Sequence, residues 1–181
     1  LMRADEIRTL DELRKLRRET FDPKISEHNG RIVKLMGDGA LVEFASAVDA
    51  VSCAIEIQKE LATYNAPIPE EYKTLFRIGI NVGDIIVEGD DIYGDGVNIA
   101  ARVESLADPG GIFLSRTARD QVRDKMQIHL EDRGEQAVKN IARPIGIFRV
   151  VAEGEKAPSS KTATENTEAA STPSELSIAV L

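Results

Sequence analysis

The chain has 181 residues, a formal charge of −8 and one cysteine, which fits a single domain with a real core plus some tail. The acidic balance argues against a general nucleic-acid or anionic-membrane binder, because counterion release needs a basic face, and the lone Cys53 rules out an internal disulfide and points to a reducing, cytoplasmic setting. No apolar run approaches the roughly 20 residues of a spanning helix and there is no signal peptide, so no membrane contact is expected of this segment.

In chain order, Ile7, Leu10, Leu13 and Leu16 recur at helical spacing and predict an amphipathic helix from Ala4 to about Lys24, kinked or restarted at Asp22 and Pro23 and stopped by Asn29 and Gly30. Arg31 to Met36 and Ala40 to Ala45 read as two short strands around the turn Gly37, Asp38, Gly39. Ser46 with Asp49 resembles a capping box, and Val48, Val51, Ile55 and Leu61 give the next helix its buried stripe, ending near Asn65 before Pro67 and Pro69. Cys53 falls in this helix as a small buried hydrophobe.

Phe76 to Glu88 is rich in β-branched residues and broken by Gly83, so it reads as one long bent strand or as two strands. A helix from about Gly94 to Ala107 follows, with Asp95 as its starting residue. Ile112 to Leu114 make a short strand, and Ser115 caps a helix to about Met126. Three strand-like stretches close the ordered part: Ile128 to Leu130, around Gln136 to Val138, and Ile147 to Ala152. The order helix, hairpin, helix, strand is a split βαβ layout without its first strand, and a sheet covered by helices on one face is expected.

Residues 1–152 therefore read as the domain. Residues 153–175 have linker composition, with Ala, Ser, Thr, Glu, Lys and proline and no aromatic residue. LSIAVL, residues 176–181, returns to strand character. It reads either as the start of a following module or as a strand that fills the vacated place by β-augmentation, in its own chain or a neighbour.

Two GDG turns carry the chemistry. In KLMGDGALVEF, Asp38 is either a hairpin-turn residue or a carboxylate presented to a metal ion. In DDIYGDGVNIAAR, Asn98 and Arg102 are four apart and share one helix face, where an amide and a guanidinium fork suit phosphate or ribose oxygens. His28 and His129 have no ligand spacing and read as surface or structural residues.

Together with EHNGRIVKLMGDGALVEF, FRIGINVGDIIVEGDDIYGDGVNIAARVESLADPGGIFLS and GEQAVKNIARPIGIFRV, these turns make the chain from Arg3 to Val151 closely resemble the class III nucleotidyl cyclases, bacterial adenylate cyclase type. The resemblance implies an α+β, ferredoxin-like cyclase fold: a mostly antiparallel sheet with helices packed on it, its first strand absent from this chain. It implies a head-to-tail homodimer with sites at the subunit interface, and two ions of Mg²⁺ or Mn²⁺. Asp38 matches one of two metal-binding aspartates. Lys34 and Asp91 match the pair that reads adenine, the lysine donating to ring N1 and the carboxylate accepting from the exocyclic amine. Guanine offers the opposite pattern, so ATP is favoured.

Asn98 matches the ribose-orienting residue and Arg102 the arginine that stabilises charge on the α-phosphate. A further cation for the triphosphate is expected from Lys139 or Arg143. The implied reaction is adenylate cyclase chemistry: ATP gives 3′,5′-cyclic AMP and pyrophosphate. The family's other metal aspartate lies on a first strand ending near a GYS motif, ahead of the equivalent of Leu1, so this fragment is expected to be inactive or impaired. The competing reading is a non-catalytic nucleotide-sensing or dimerisation module on the same fold.

Overall fold

The computed structural model describes residues 10–36, 39–89, 91–138, 141–152 and 175–180; of Asp91 and residues 175–180 it describes the backbone. The first helix, α1 (residues 10–27), is interrupted before the Asp22-Pro23 pair and resumes there, as the pair predicts. Arg17–Phe21 form a π-turn in which the Asp22 amide donates to the Arg17 carbonyl. The wider loop of that turn comes immediately before Pro23, which supplies no N–H and sits in the first turn of the resumed α-segment, Asp22–Glu27. Asn29 then ends the helix with φ of 58°.

The strands are β1 (Gly30–Met36), β2 (Gly39–Phe44), β3 (Leu75–Ile80), β4 (Ile86–Glu88), β5 (Asp91–Tyr93), β6 (Ile112–Ser115), β7 (His129–Gln136), β8 (Ile145–Val151) and β9 (Glu175–Val180). Between them lie α2 (Ala47–Asn65), α3 (Asp95–Leu106) and α4 (Arg116–Val122). Seven strands form one sheet in the order β1-β2-β9-β3-β6-β8-β7, while β4 and β5 form a separate ribbon.

The class is the α+β one expected, but the sheet is mixed. β9 lies between β2 and β3 and runs parallel to both, and β3 is parallel to β6, whereas β1, β7 and β8 pair antiparallel. The two stretches expected around Ile128 and Gln136 are one strand, β7. A register shift between Asp132 and Glu135, with Gly134 at φ of 82°, absorbs the residues that looked like a break.

Helices cover both faces of the sheet, not one. Alternation along each strand sorts the core into two sides. Val42, Phe76, Ile78, Leu114 and Phe148 face α1, α2 and α4, forming the large cluster with Leu16, Phe21, Ile25, Val51, Ile57 and Leu61. Phe21 meets Phe76 edge-to-face with ring centroids 4.6 Å apart. The alternate residues Leu41, Phe113, Ile145 and Ile147 face α3, against Ala100, Val103 and Ala107.

Helix α3 can lie close because β3 presents Gly79 there. A Cβ on Gly79 would sit 2.2 Å from the Glu104 amide nitrogen and 2.7 Å from the Ala100 carbonyl oxygen.

On the opposite layer α2 starts as the sequence predicts, the Ser46 hydroxyl accepting from the Asp49 amide at 3.1 Å. Between α1 and α2, Lys24 Nζ lies 3.1 to 3.3 Å from carboxylate oxygens of Glu56, Glu60 and Glu27, and His28 Nε2 is 3.2 Å from Glu56. Those carboxylates, Glu56 first, raise the Lys24 pKa, while Lys24 and then His28 hold Glu56 below the usual carboxylate range. Cys53 is buried beneath them, and burial pushes its thiol up to about 12, so it stays protonated and packs as a small apolar group.

Candidate active site

Strict alternation would put Lys34 on the same side of the sheet as Ile32, toward α1 and α2. The β1–β2 register instead pairs Ile32 with Val42 and Lys34 with Leu41, leaving Val33 as an extra residue. Directly paired residues share a face. The bulge therefore transfers Lys34 to the α3 side, where Leu41 and Val33 pack on Ala100 and Val97. Lys34 is exposed there, near the free end of the hairpin. Asp38 lies outside the described residues.

Asp91 opens β5, which pairs with β4 through a two-residue connection, Glu88 opposite Asp91. Gly89 takes φ of 59° in that turn, and Gly-Asp is a two-residue hairpin signal that the sequence reading passed over. Strand β1 contacts β5, and α3 contacts β5 in turn. Lys34 and Asp91 are thus on neighbouring strands, with the helix that bears Asn98 and Arg102 beside them.

In α3 the inward positions are Gly96, Ala100 and Val103, so Asn98 and Arg102 fall together on the exposed face. Asp95 is the first helical residue and not the cap. The N-cap is Gly94, at φ of 122° and ψ of 176°, with no side-chain bond to the helix. A carboxylate in the first turn still complements the helix dipole. Arg143 is exposed in the connection from β7 to β8. That connection folds toward α3, because Val138 and Ile141 pack on the cluster containing Val103 and Ala107. Lys139 lies outside the described residues.

Under the first turn of α3 is a buried polar network. Asn81, just past β3 and 2 % exposed, donates from Nδ2 to the Gly96 carbonyl at 3.1 Å. Its Oδ1 accepts from the hydroxyls of Ser115 at 2.7 Å and Thr117 at 3.1 Å. Ser115 in turn caps α4, accepting from the Ala118 amide at 3.3 Å.

Residues 3–152 match the family model described as the adenylate and guanylate cyclase catalytic domain. The chain belongs to this cyclase family. It is 45% identical over 148 residues to a Rhizobium meliloti protein named "Putative adenylate cyclase 3", an alignment covering 82% of this chain and 25% of that protein. The chain thus spans about a quarter of that curated relative.

Among solved structures, the adenylate/guanylate cyclase/hydrolase from Silicibacter pomeroyi superposes with a TM-score of 0.76 at 39% identity, over 84% of this chain and 90% of that one. The adenylyl cyclase CyaB from P. aeruginosa gives 0.63 at 28% identity, over 79% and 82%. The cyclase domain therefore has the class III fold that its motifs implied. Among the described residues no helix is long and apolar enough to cross a membrane.

Divalent metals are typical of the family. Among the described residues no three His, Cys, Asp or Glu side chains converge as a metal donor set. Asp38, the candidate ligand, is not among them.

Proposed function

We propose that the cyclase domain is an adenylate cyclase, converting ATP to 3′,5′-cyclic AMP and pyrophosphate, with Mg²⁺ or Mn²⁺ as the ions and Asp38 as one ligand. The observation that supports this reading is that β1, which bears Lys34, contacts β5, which Asp91 opens, and that β5 in turn contacts α3, which bears Asn98 and Arg102. A lysine donor and a carboxylate acceptor match adenine N1 and its amino group and mismatch guanine.

Asn98 holds the ribose so that its 3′-oxygen lies in line with the α-phosphorus. The new bond forms there as the bond to the bridging oxygen of the β-phosphate breaks, the 3′-hydroxyl proton is lost and pyrophosphate leaves. Arg102 stabilises the negative charge that grows on the α-phosphate, and Arg143 or Lys139 holds the leaving phosphates.

The site is completed by a second copy. Leu35 and Met36 at the end of β1 and Ile86, Val87 and Tyr93 on the ribbon are exposed apolar side chains, and a two-stranded ribbon is marginal by itself. An apolar patch of this kind marks an interaction surface. In the head-to-tail dimer, Lys34 and Asp38 of one chain serve different sites.

The test is calorimetric titration with non-hydrolysable ATP and GTP analogues in Mn²⁺, followed by turnover of ATP at several protein concentrations. The ATP analogue is expected to bind at least about tenfold more tightly than the GTP analogue, and Lys34→Ala to erase that preference. Arg102→Ala should lower turnover by roughly 100-fold while leaving the preference intact. Turnover per chain should rise with concentration as dimers form. Equal binding of the two analogues would sink the adenylate assignment, and no binding of either would leave the domain only a structural or dimerisation role.

A further inference from the structure

Helix α3 begins with little of its own to hold it. Its N-cap is a glycine without a side-chain bond, and its second residue is Gly96, whose backbone is pressed against the chain at Gly83 and Asp84. A Cβ on Gly96 would lie 2.9 Å from the Asp84 carbonyl oxygen. The side chain that reaches this turn from the sheet is Asn81, through its bond to the Gly96 carbonyl. The other end of the same carboxamide is fixed by Ser115 and Thr117, at the junction of β6 and α4. One planar group therefore ties the start of α3 to the ends of two strands. Asn98 is two residues beyond Gly96 and Arg102 six, less than two turns away.

We propose that Asn81 is a positioning residue: its carboxamide sets the height and rotation of the first turns of α3 over the sheet, and through them the placement of Asn98 and Arg102. The proposal rests on the reading of those two residues as nucleotide contacts. A purely space-filling role would need only that the buried polar atoms be satisfied somewhere. The network is more specific, because the donor half of the amide points to the helix and the acceptor half to the sheet. Reversing or removing the donor half changes the helix connection and leaves the bonds to Ser115 and Thr117 in place.

The variant Asn81→Asp does this. Read at alkaline pH, where the buried carboxyl is ionised, it still accepts from Ser115 and Thr117 but turns a lone pair toward the Gly96 carbonyl. Hydrogen exchange reads the consequence without any need for activity. Protection of the amides of residues 97–102 is expected to fall by about tenfold or more, while β3, β6 and α2 keep theirs. Thr117→Ala, a milder change at the same oxygen, should give a smaller loss in the same place, which keeps the test available if Asn81→Asp does not fold. Unchanged protection, or a uniform loss across the chain in both variants, would overturn the proposal.

A double-mutant cycle with the ATP analogue supplies the link to the site. Asn81→Asp should weaken analogue binding by about tenfold in the unaltered chain but by less than about twofold when Asn98 and Arg102 are both alanine. The same factor in both backgrounds means that Asn81 does not act through α3. If the unaltered chain binds no analogue, the nucleotide reading fails by itself, and the exchange pattern alone upholds or overturns the role of Asn81.

Discussion

Replacing Gly79 by alanine is expected to lower the melting temperature by roughly 10 °C, and replacing it by valine to prevent α3 from docking at all. The added carbon meets the backbone of α3, not a side chain that could rotate away. It would stand 2.2 Å from the Glu104 nitrogen and 2.5 Å from the Glu104 Cα. Relief requires the whole helix to lift from β3, which opens the small cluster of Leu41 and Ala100 and the one around Val103 and Phe113. A loss of about 3 kcal/mol is reasonable for an overpacked site that cannot relax by rotamer change, and a domain of this size loses roughly 2–4 °C per kcal/mol. Because Asn98 and Arg102 ride on the displaced helix, nucleotide binding should disappear in Gly79→Ala at temperatures where far-ultraviolet circular dichroism still reports a folded sheet. Thermal melts and analogue titration of the purified variant decide this. A melting temperature within about 2 °C of the parent chain would show that the close approach carries no cost.

Removing residues 153–181 is expected to have a comparable or larger effect. β9 pairs with β3 over six residues, Leu75 opposite Glu175 through Ile80 opposite Val180, and with β2 over three, from Ala40 opposite Ile178. Without it, two interior strands acquire facing edges with unpaired amides and carbonyls, in a part of the sheet covered by helices on both sides. Each buried backbone group left without a partner costs on the order of 1–3 kcal/mol, so a fall in melting temperature of more than about 10 °C or a shift to aggregates is the expected outcome. Ile178→Pro separates the strand from its tether: the segment stays attached, but position 178 loses its N–H where it pairs with both Ala40 and Ile78. If the shortened chain and Ile178→Pro both melt within about 2 °C of the parent and keep its oligomeric state, the sheet does not depend on β9.

What could be read from the sequence was whatever is decided within a turn or two of chain. The Ser46 cap, the end of α2 at Asn65, the β1–β2 hairpin and the Ser115 cap are local events, and each is found where the residues put it. The departures have non-local causes. Ile128 to Leu130 and the stretch around Gln136 read as separate strands, but pairing with β8 joins them into one around Gly134. Strand β5 was missed because only three residues pair and the second GDG drew attention to the helix that follows.

The candidate site could be read from the sequence as a list of residue types and not as an arrangement. Neither the bulge that brings Lys34 to the α3 side nor the layering of helices on both faces follows from spacing along the chain. Asn81 was the least visible of all. In FRIGINVGD it reads as a polar residue at a strand end, and its three partners are 15, 34 and 36 residues away.

The place of β9 also determines how its occupancy can change. An edge strand such as β1 or β7 can peel away one bond after another, but β9 is bonded along both sides and leaves only if both ladders open. The position is therefore expected to be filled when the sheet closes and to exchange only slowly afterwards, across an unfolding barrier. Order of addition exposes this: a labelled peptide of residues 175–180, in large excess, should remain free when mixed with the folded chain for hours, yet be retained when present during refolding from denaturant. Equal incorporation in either order would place the strand under equilibrium control.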